Sequence, residues 1–181
     1  MGNIFLIDGY GGSPKVNWLD WVGRNLENKF QINKIFIDKP DVAEVQKFDN
    51  ALVNQITEVE SSYFISHSLG CVTLLRYLIK TKKIPKGIIL VSPFDQQVPG
   101  FEMFDEFFVH ESLEPLNLDS NKSIIISSMN DPIIPFKYSQ EVAEKLQIPF
   151  ILFPTGAHFR ASDGMVKFPE ILTYIQLYWE N

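Results

Sequence analysis

The sequence predicts an α/β fold, a three-layer α/β/α sandwich in which helices cover both faces of a parallel sheet. Three observations predict it. Six short runs of β-branched and aromatic residues recur along the chain. Most of these runs are apolar throughout rather than alternating, as strands buried on both faces are. Apolar stripes at helical spacing lie between them, and that alternation is the pattern of a parallel sheet.

The strand-length runs are Ile4–Ile7, Ile32–Ile37, Tyr63–Ser66, Ile88–Val91, Ile124–Ser127 and Phe150–Phe153. Trp18, Leu19, Val22 and Leu26 share one helical face after the first run. Val45, Phe48, Leu52, Ile56 and Val59 form a stripe after the second. Val72, Leu75 and Ile79 continue a helix directly behind Gly70. Val142, Ala143 and Leu146 make a shorter stripe, and Pro169 opens a last helix carrying Ile171, Leu172 and Ile175. The stretch from Phe94 to Asn121 breaks the rhythm with five phenylalanines, at 94, 101, 104, 107 and 108. It reads as one crossover helix packed on the sheet, or as a segment that also covers a site.

The chain has 181 residues, which predicts one domain over 1–181. Apolar residues at 45% and charged residues at 21% set a globular balance and exclude a disordered chain. The apolar runs are too short to span a bilayer. The start, "MGNIFLIDG", shows neither the basic region nor the cleavage site of a signal peptide. One cysteine, Cys71, precludes an internal disulfide and fits the cytoplasm. The net charge is −6 without a Lys/Arg block, so neither nucleic acid nor an anionic membrane is expected as a partner.

Ligands of open α/β sheets sit beyond the carboxyl ends of the strands. "DGYGGSP" (Asp8–Pro14) follows the first run and "SHS" (Ser66–Ser68) the third. "SMNDP", with Asp131, follows the fifth and "TGAHF", with His158, the sixth. A serine, an acid and a histidine thus fall at three strand ends in the order Ser…Asp…His, the chain order of an α/β-hydrolase triad.

Around Ser68 the pattern is Ser-x-Ser-x-Gly, one glycine short of the familiar Gly-x-Ser-x-Gly. A nucleophile on a sharp strand-to-helix turn needs small residues two positions before and after it. Gly70 meets that need, and Ser66 meets it less completely. The other reading is an ordinary N-cap serine. Cys71, three residues on, falls inside the helix. Of the three histidines, His67 adjoins Ser68, His110 sits in the Phe-rich crossover, and His158 alone follows a strand in a glycine-containing loop. His158 is the candidate base. Asp131 is the candidate acid, with Asp119 and Asp163 in reserve, although Asp-Pro also starts turns. An oxyanion would bind the Leu69 amide at the helix start and a second amide from the first loop, taken as Tyr10. Gly9, Phe94, Phe104 and Phe159 are the candidate pocket residues. The first loop does not match a P-loop, because Ser13-Pro14-Lys15 stands where Gly-Lys-Ser/Thr belongs. No two histidines have metal-ligand spacing, so neither a metal nor a cofactor is expected.

The segments "DGYGGSPKVNWLDWV", "SHSLGCVTLLRYL", "GIILVSPF", "SMNDPIIPFKYSQEVAEKL" and "GAHF" together resemble the small serine hydrolases grouped with retinoblastoma-binding protein 9 and YdeN-like proteins. The resemblance covers nearly the whole chain. It implies a minimal α/β-hydrolase with a six-stranded parallel sheet in the order 2-1-3-4-5-6 and no large lid. It also places nucleophile, acid and base at Ser68, Asp131 and His158. Family members often carry a histidine where this chain has Asp8. A carboxylate aimed at the oxyanion would oppose catalysis, so Asp8 is expected to bond backbone amides. The expected activity is esterase-like cleavage of a small-molecule ester, thioester or activated amide. The rival expectation is a protein-binding module on a hydrolase scaffold.

Overall fold

The computed structural model describes residues 2–109, 112, 113 and 116–180. Six strands form one parallel sheet: β1 (Gly2–Ile7), β2 (Phe30–Lys34), β3 (Ser62–His67), β4 (Gly87–Val91), β5 (Ile124–Ser128) and β6 (Phe150–Phe153). Their order is β2-β1-β3-β4-β5-β6. Among the described residues, four α-helices connect strands, α1 (Asn17–Leu26), α2 (Val45–Gln55), α3 (Leu69–Thr81) and α4 (Phe136–Leu146), and a fifth, α5 (Pro169–Tyr178), follows β6.

Neighbouring residues along a strand point to opposite faces, and the two cores divide accordingly. Ile4 and Leu6, Tyr63 and Ile65, Ile89 and Val91, and Ile124 and Ile126 meet Trp18, Val22, Ile171 and Ile175 from α1 and α5. Phe5 and Ile7, Phe64, Ile88 and Leu90, and Ile125 meet Leu52, Leu74, Leu78, Val142 and Leu146 from α2, α3 and α4. Two hydrophobic layers thus enclose the sheet, which is why its central strands carry no polar alternation. Among the described residues, no helix is long and apolar enough to cross a membrane.

Three elements differ from expectation. β2 ends at Lys34 rather than Ile37, because β1 ends at Ile7 and leaves the later residues without a strand partner. The side chain of Gln55 takes over there, accepting from the Phe36 N–H and donating to the Phe36 carbonyl. Helix α2 stops at Gln55, with Ile56 and Val59 buried beyond its end. In the Phe-rich crossover, the described residues contain a short 3₁₀ helix (Glu102–Phe107) where one crossover helix was expected. Phe101, Phe104 and Phe107 recur every third residue, the 3₁₀ period, and Pro99-Gly100 precedes them. His110 lies outside the described residues.

Phe64 is fully buried at the centre of the sheet and stacks on Phe5 at 5.2 Å between ring centroids. Phe64→Ala is expected to cost about 3–5 kcal/mol, read as a lower urea midpoint at unchanged slope. A loss under about 1 kcal/mol would contradict the packing described.

Candidate functional site

The site forms where β3 turns into α3. Ser68 sits between them with φ 51° and ψ −125°, a conformation that costs a non-glycine residue about 1–3 kcal/mol. Bonds on both sides hold it: its N–H donates to the Val91 carbonyl at 2.8 Å, and its carbonyl accepts from the Cys71 N–H at 2.9 Å. Crowding decides its neighbours. A β-carbon at Gly70 would come within 2.7 Å of the Asp8 carbonyl oxygen. On the other side Ser66 is tolerated because its hydroxyl turns toward Cys71, donating to Sγ at 3.3 Å. Ser68 occupies the N-cap position of α3, yet its hydroxyl makes no cap bond. It lies instead 2.9 Å from His158 Nε2.

The other imidazole nitrogen, His158 Nδ1, lies 2.8 Å from Asp131 Oδ2. Ser68, His158 and Asp131 are therefore brought together in one hydrogen-bonded line. Asp131 also starts a turn, because its Oδ1 accepts from the Ile133 and Ile134 amides, each at 2.9 Å. One carboxylate does both jobs with different oxygens. Burial would raise the Asp131 pKa, but the bonds from His158 and the two amides outweigh it and hold the group below the ordinary carboxylate value. Burial pushes His158 below the ordinary imidazole value, against the opposing pull of Asp131. The reserve acids lie elsewhere. Asp119 accepts from the Asn121 amide. Asp163 accepts from the backbone N–H of His158 at 3.2 Å and pairs with Arg160, so it holds the loop rather than the ring.

Asp8 ends β1 beside this line. Its Oδ1 accepts from the Gly9 N–H at 2.9 Å and faces His67 Nδ1 at 3.1 Å, while its Oδ2 accepts from Asn17 at 3.2 Å. Only one of these partners is the backbone amide that was expected. Burial would raise its pKa, but His67 and the other donors outweigh that and keep it lowered. Cys71 is fully buried, and burial pushes its thiol up to about 12.

A cavity of about 300 Å³ opens in front of Ser68, between the loop from Asp8 to Asn17 and the segment from His158 to Ser162. Gly9 and Tyr10 line it. Phe94, Phe104 and Phe159 do not, which corrects the expected pocket. Phe94 and Phe104 are buried against Leu69, Val72 and Ile134, and Phe159 is buried against Phe168. Their size drives them into the core, so the Phe-rich crossover supports the elbow from behind. Tyr10 rests edge-on against Phe104 at 5.4 Å.

Sequence reasoning missed two groups at the site. Ser92, with φ 50°, donates from Oγ to Asp131 Oδ2 at 3.0 Å. It follows β4, so the strand-end rule that found Asp131 could have found it. His67, which the sequence marks only as the neighbour of Ser68, bonds Asp8 and the His158 carbonyl. Nothing in its spacing signalled that.

Comparison with known proteins bears on the family and the fold. The YdeN protein of Bacillus subtilis (strain 168) is 29% identical, with 98% of this chain and 96% of YdeN covered. The crystal structure of the ydeN gene product superposes over the full length of both chains with a TM-score of 0.87. Serine hydrolase RBBP9 of Rattus norvegicus is 25% identical over 87% of each protein. Mouse alpha/beta hydrolase domain-containing protein 10 shares the fold, at a TM-score of 0.70 and 14% identity, over 98% of this chain and 89% of its own. The sequence profile described as "Serine hydrolase" matches residues 4–177, and by that match the chain belongs to the serine hydrolase family.

Proposed function

We propose that this hydrolase cleaves a small ester, thioester or activated amide through an acyl-enzyme on Ser68. The observation that carries the proposal is the continuous line from Ser68 Oγ through His158 to Asp131, with links of 2.9 and 2.8 Å. Ser68 Oγ attacks the carbonyl carbon while His158 Nε2 takes its proton. Asp131 keeps the remaining ring proton on Nδ1 and stabilises the imidazolium. His158 then protonates the leaving group, and water repeats the sequence on the acyl-enzyme.

The oxyanion donors proposed are the amides of Leu69 and Tyr10. Leu69 opens α3, where the first N–H groups have no intrahelical acceptor and the dipole favours negative charge. In the first loop, Gly9 N–H is spent on Asp8, Gly11 N–H on Pro40 and Gly12 N–H on Gly9. Tyr10 N–H has no hydrogen-bond partner among the described residues. Gly9 brings the loop close, since a β-carbon there would lie 2.9 Å from the Leu69 nitrogen. The lone buried cysteine supports a reducing compartment such as the cytoplasm.

A fluorophosphonate probe is expected to label the wild type, and Ser68→Ala is expected to abolish labelling and to lower ester kcat/KM by about 10³-fold or more. Equal labelling of both proteins would remove Ser68 as the nucleophile. The base works only when neutral, and His158 is held below its ordinary value of 6.5. Activity is therefore expected to be full at pH 7–8 and to fall on acidification with a midpoint below 6.5. A midpoint above 7 would contradict the burial of His158. In a p-nitrophenyl ester series, the cavity of about 300 Å³ predicts the highest kcat/KM for acetate and butyrate and a steep decline by octanoate. A preference for octanoate would mean that another surface takes the acyl chain.

A further inference from the structure

His67 and Asp8 form a second histidine–carboxylate pair next to the first. Both residues are nearly inaccessible, at 5% and 4% exposure. His67 Nε2 lies 2.9 Å from the carbonyl oxygen of His158, which can only accept, so Nε2 carries a proton. His67 Nδ1 lies 3.1 Å from Asp8 Oδ1. That same oxygen accepts the Gly9 N–H, and Oδ2 accepts from Asn17 Nδ2. The direction of the Asn17 bond follows from its own oxygen, which accepts the Leu19 N–H at 2.8 Å. The other contacts to Asp8 are donors, and His67 Nδ1, the one group that could take a proton from it, is the more basic of the two, so Asp8 is the ionised partner.

We infer that His67 stands as an imidazolium held by the Asp8 carboxylate, and that this pair positions His158 by donating a hydrogen bond to its backbone carbonyl. A neutral His67 would leave one ring nitrogen lone pair facing an acceptor in a buried site, an uncompensated contact. Among the described residues, the surrounding elements supply no competing charge in contact. From β1 comes Asp8. From the loop after β6 comes the His158 ring, 4.9 Å away between centroids, with Asp131 behind it and Arg160 occupied by Asp163. From α1 comes the uncharged Trp18 ring at 5.9 Å. From α3 comes Cys71, whose thiol, pushed to about 12, stays protonated.

Two consequences bear on the site. The loop carrying His158 has positive φ at Ala157 and Phe159. Its successive carbonyls, of His158 and Phe159, are gripped by His67 Nε2 and by Trp18 Nε1, both at 2.9 Å. The grip sets the plane from which the His158 ring reaches Ser68. The imidazolium also offsets the Asp8 charge beside the proposed oxyanion donors, which answers the objection that a carboxylate there would oppose catalysis. His67 and Asp8 are positioning residues, and that half of the inference rests on reading Ser68 and His158 as nucleophile and base.

The test is ¹⁵N NMR of the histidine side chains in the wild type and in Asp8→Asn. The chain has three histidines, so His110→Gln and His67→Gln complete the assignment. At pH 8 the wild-type His67 is expected to show protons on both ring nitrogens. In Asp8→Asn it should carry one proton. The His158 Nδ1–H resonance should shift or broaden in that variant. Ester kcat should fall about 10- to 100-fold, with KM changed less than about twofold. A single ring proton on wild-type His67 at pH 8 overturns the inference, and that measurement needs no variant to fold. An Asp8→Asn protein with unaltered His158 resonance and unaltered kcat overturns the positioning role. If a fluorophosphonate fails to label the wild type, the reading of Ser68 fails, while the two resonances still decide His67 and its hold on His158.

Discussion

Everything at the site depends on the bare contact between the end of β1 and the elbow after β3. Gly9 presses on the Leu69 nitrogen and Gly70 on the Asp8 carbonyl, and a β-carbon at either position would intrude below 3 Å. No side chain separates the two backbones. This closeness seats Ser68 over the centre of the sheet and lays the first loop along one wall of the cavity. It also brings the Asp8 side chain within reach of His67. The strained angles at Ser68 persist because the sheet register on one side and the Val91 carbonyl on the other leave the chain no alternative path.

The strand-helix rhythm was legible because each central strand is buried on both faces and carries a run of consecutive apolar residues, Tyr63–Ile65 in β3, Ile88–Val91 in β4 and Ile124–Ile126 in β5. Ser68, Asp131 and His158 were legible by placement, since ligand chemistry in such sheets gathers at strand ends and three chemically matched residues occupied three of them. What failed was reasoning about large side chains. Phe94 and Phe104 belong to a crossover that the sequence allows to cover the site, and Phe159 adjoins the candidate base, so all three were expected at a pocket. Proximity in sequence says nothing about whether a ring turns toward the site or the core, and burial won in all three. The crossover failed for a related reason, because a period of three and a period of 3.6 are hard to separate over so few residues.

His67 shows a different limit. Its role depends on a carboxylate 59 positions earlier and a carbonyl 91 positions later. Neither partner can be seen until the strands are placed side by side. Asp131 illustrates the converse: its turn-starting role and its bond to His158 looked like competing readings, and the two carboxylate oxygens satisfy both.

The three principal groups are spread unequally across the sheet. Ser68 follows β3, an interior strand paired on both sides, whereas His158 follows β6, a four-residue edge strand paired only with β5. Ile151 in that strand remains partly open to solvent. Edge elements of this kind open at lower free energy than central ones. The histidine is therefore mounted beside one of the two edges of the sheet, where opening costs least. Heating should disconnect it from Ser68 while the inner strands are still intact, so that function is lost ahead of the fold.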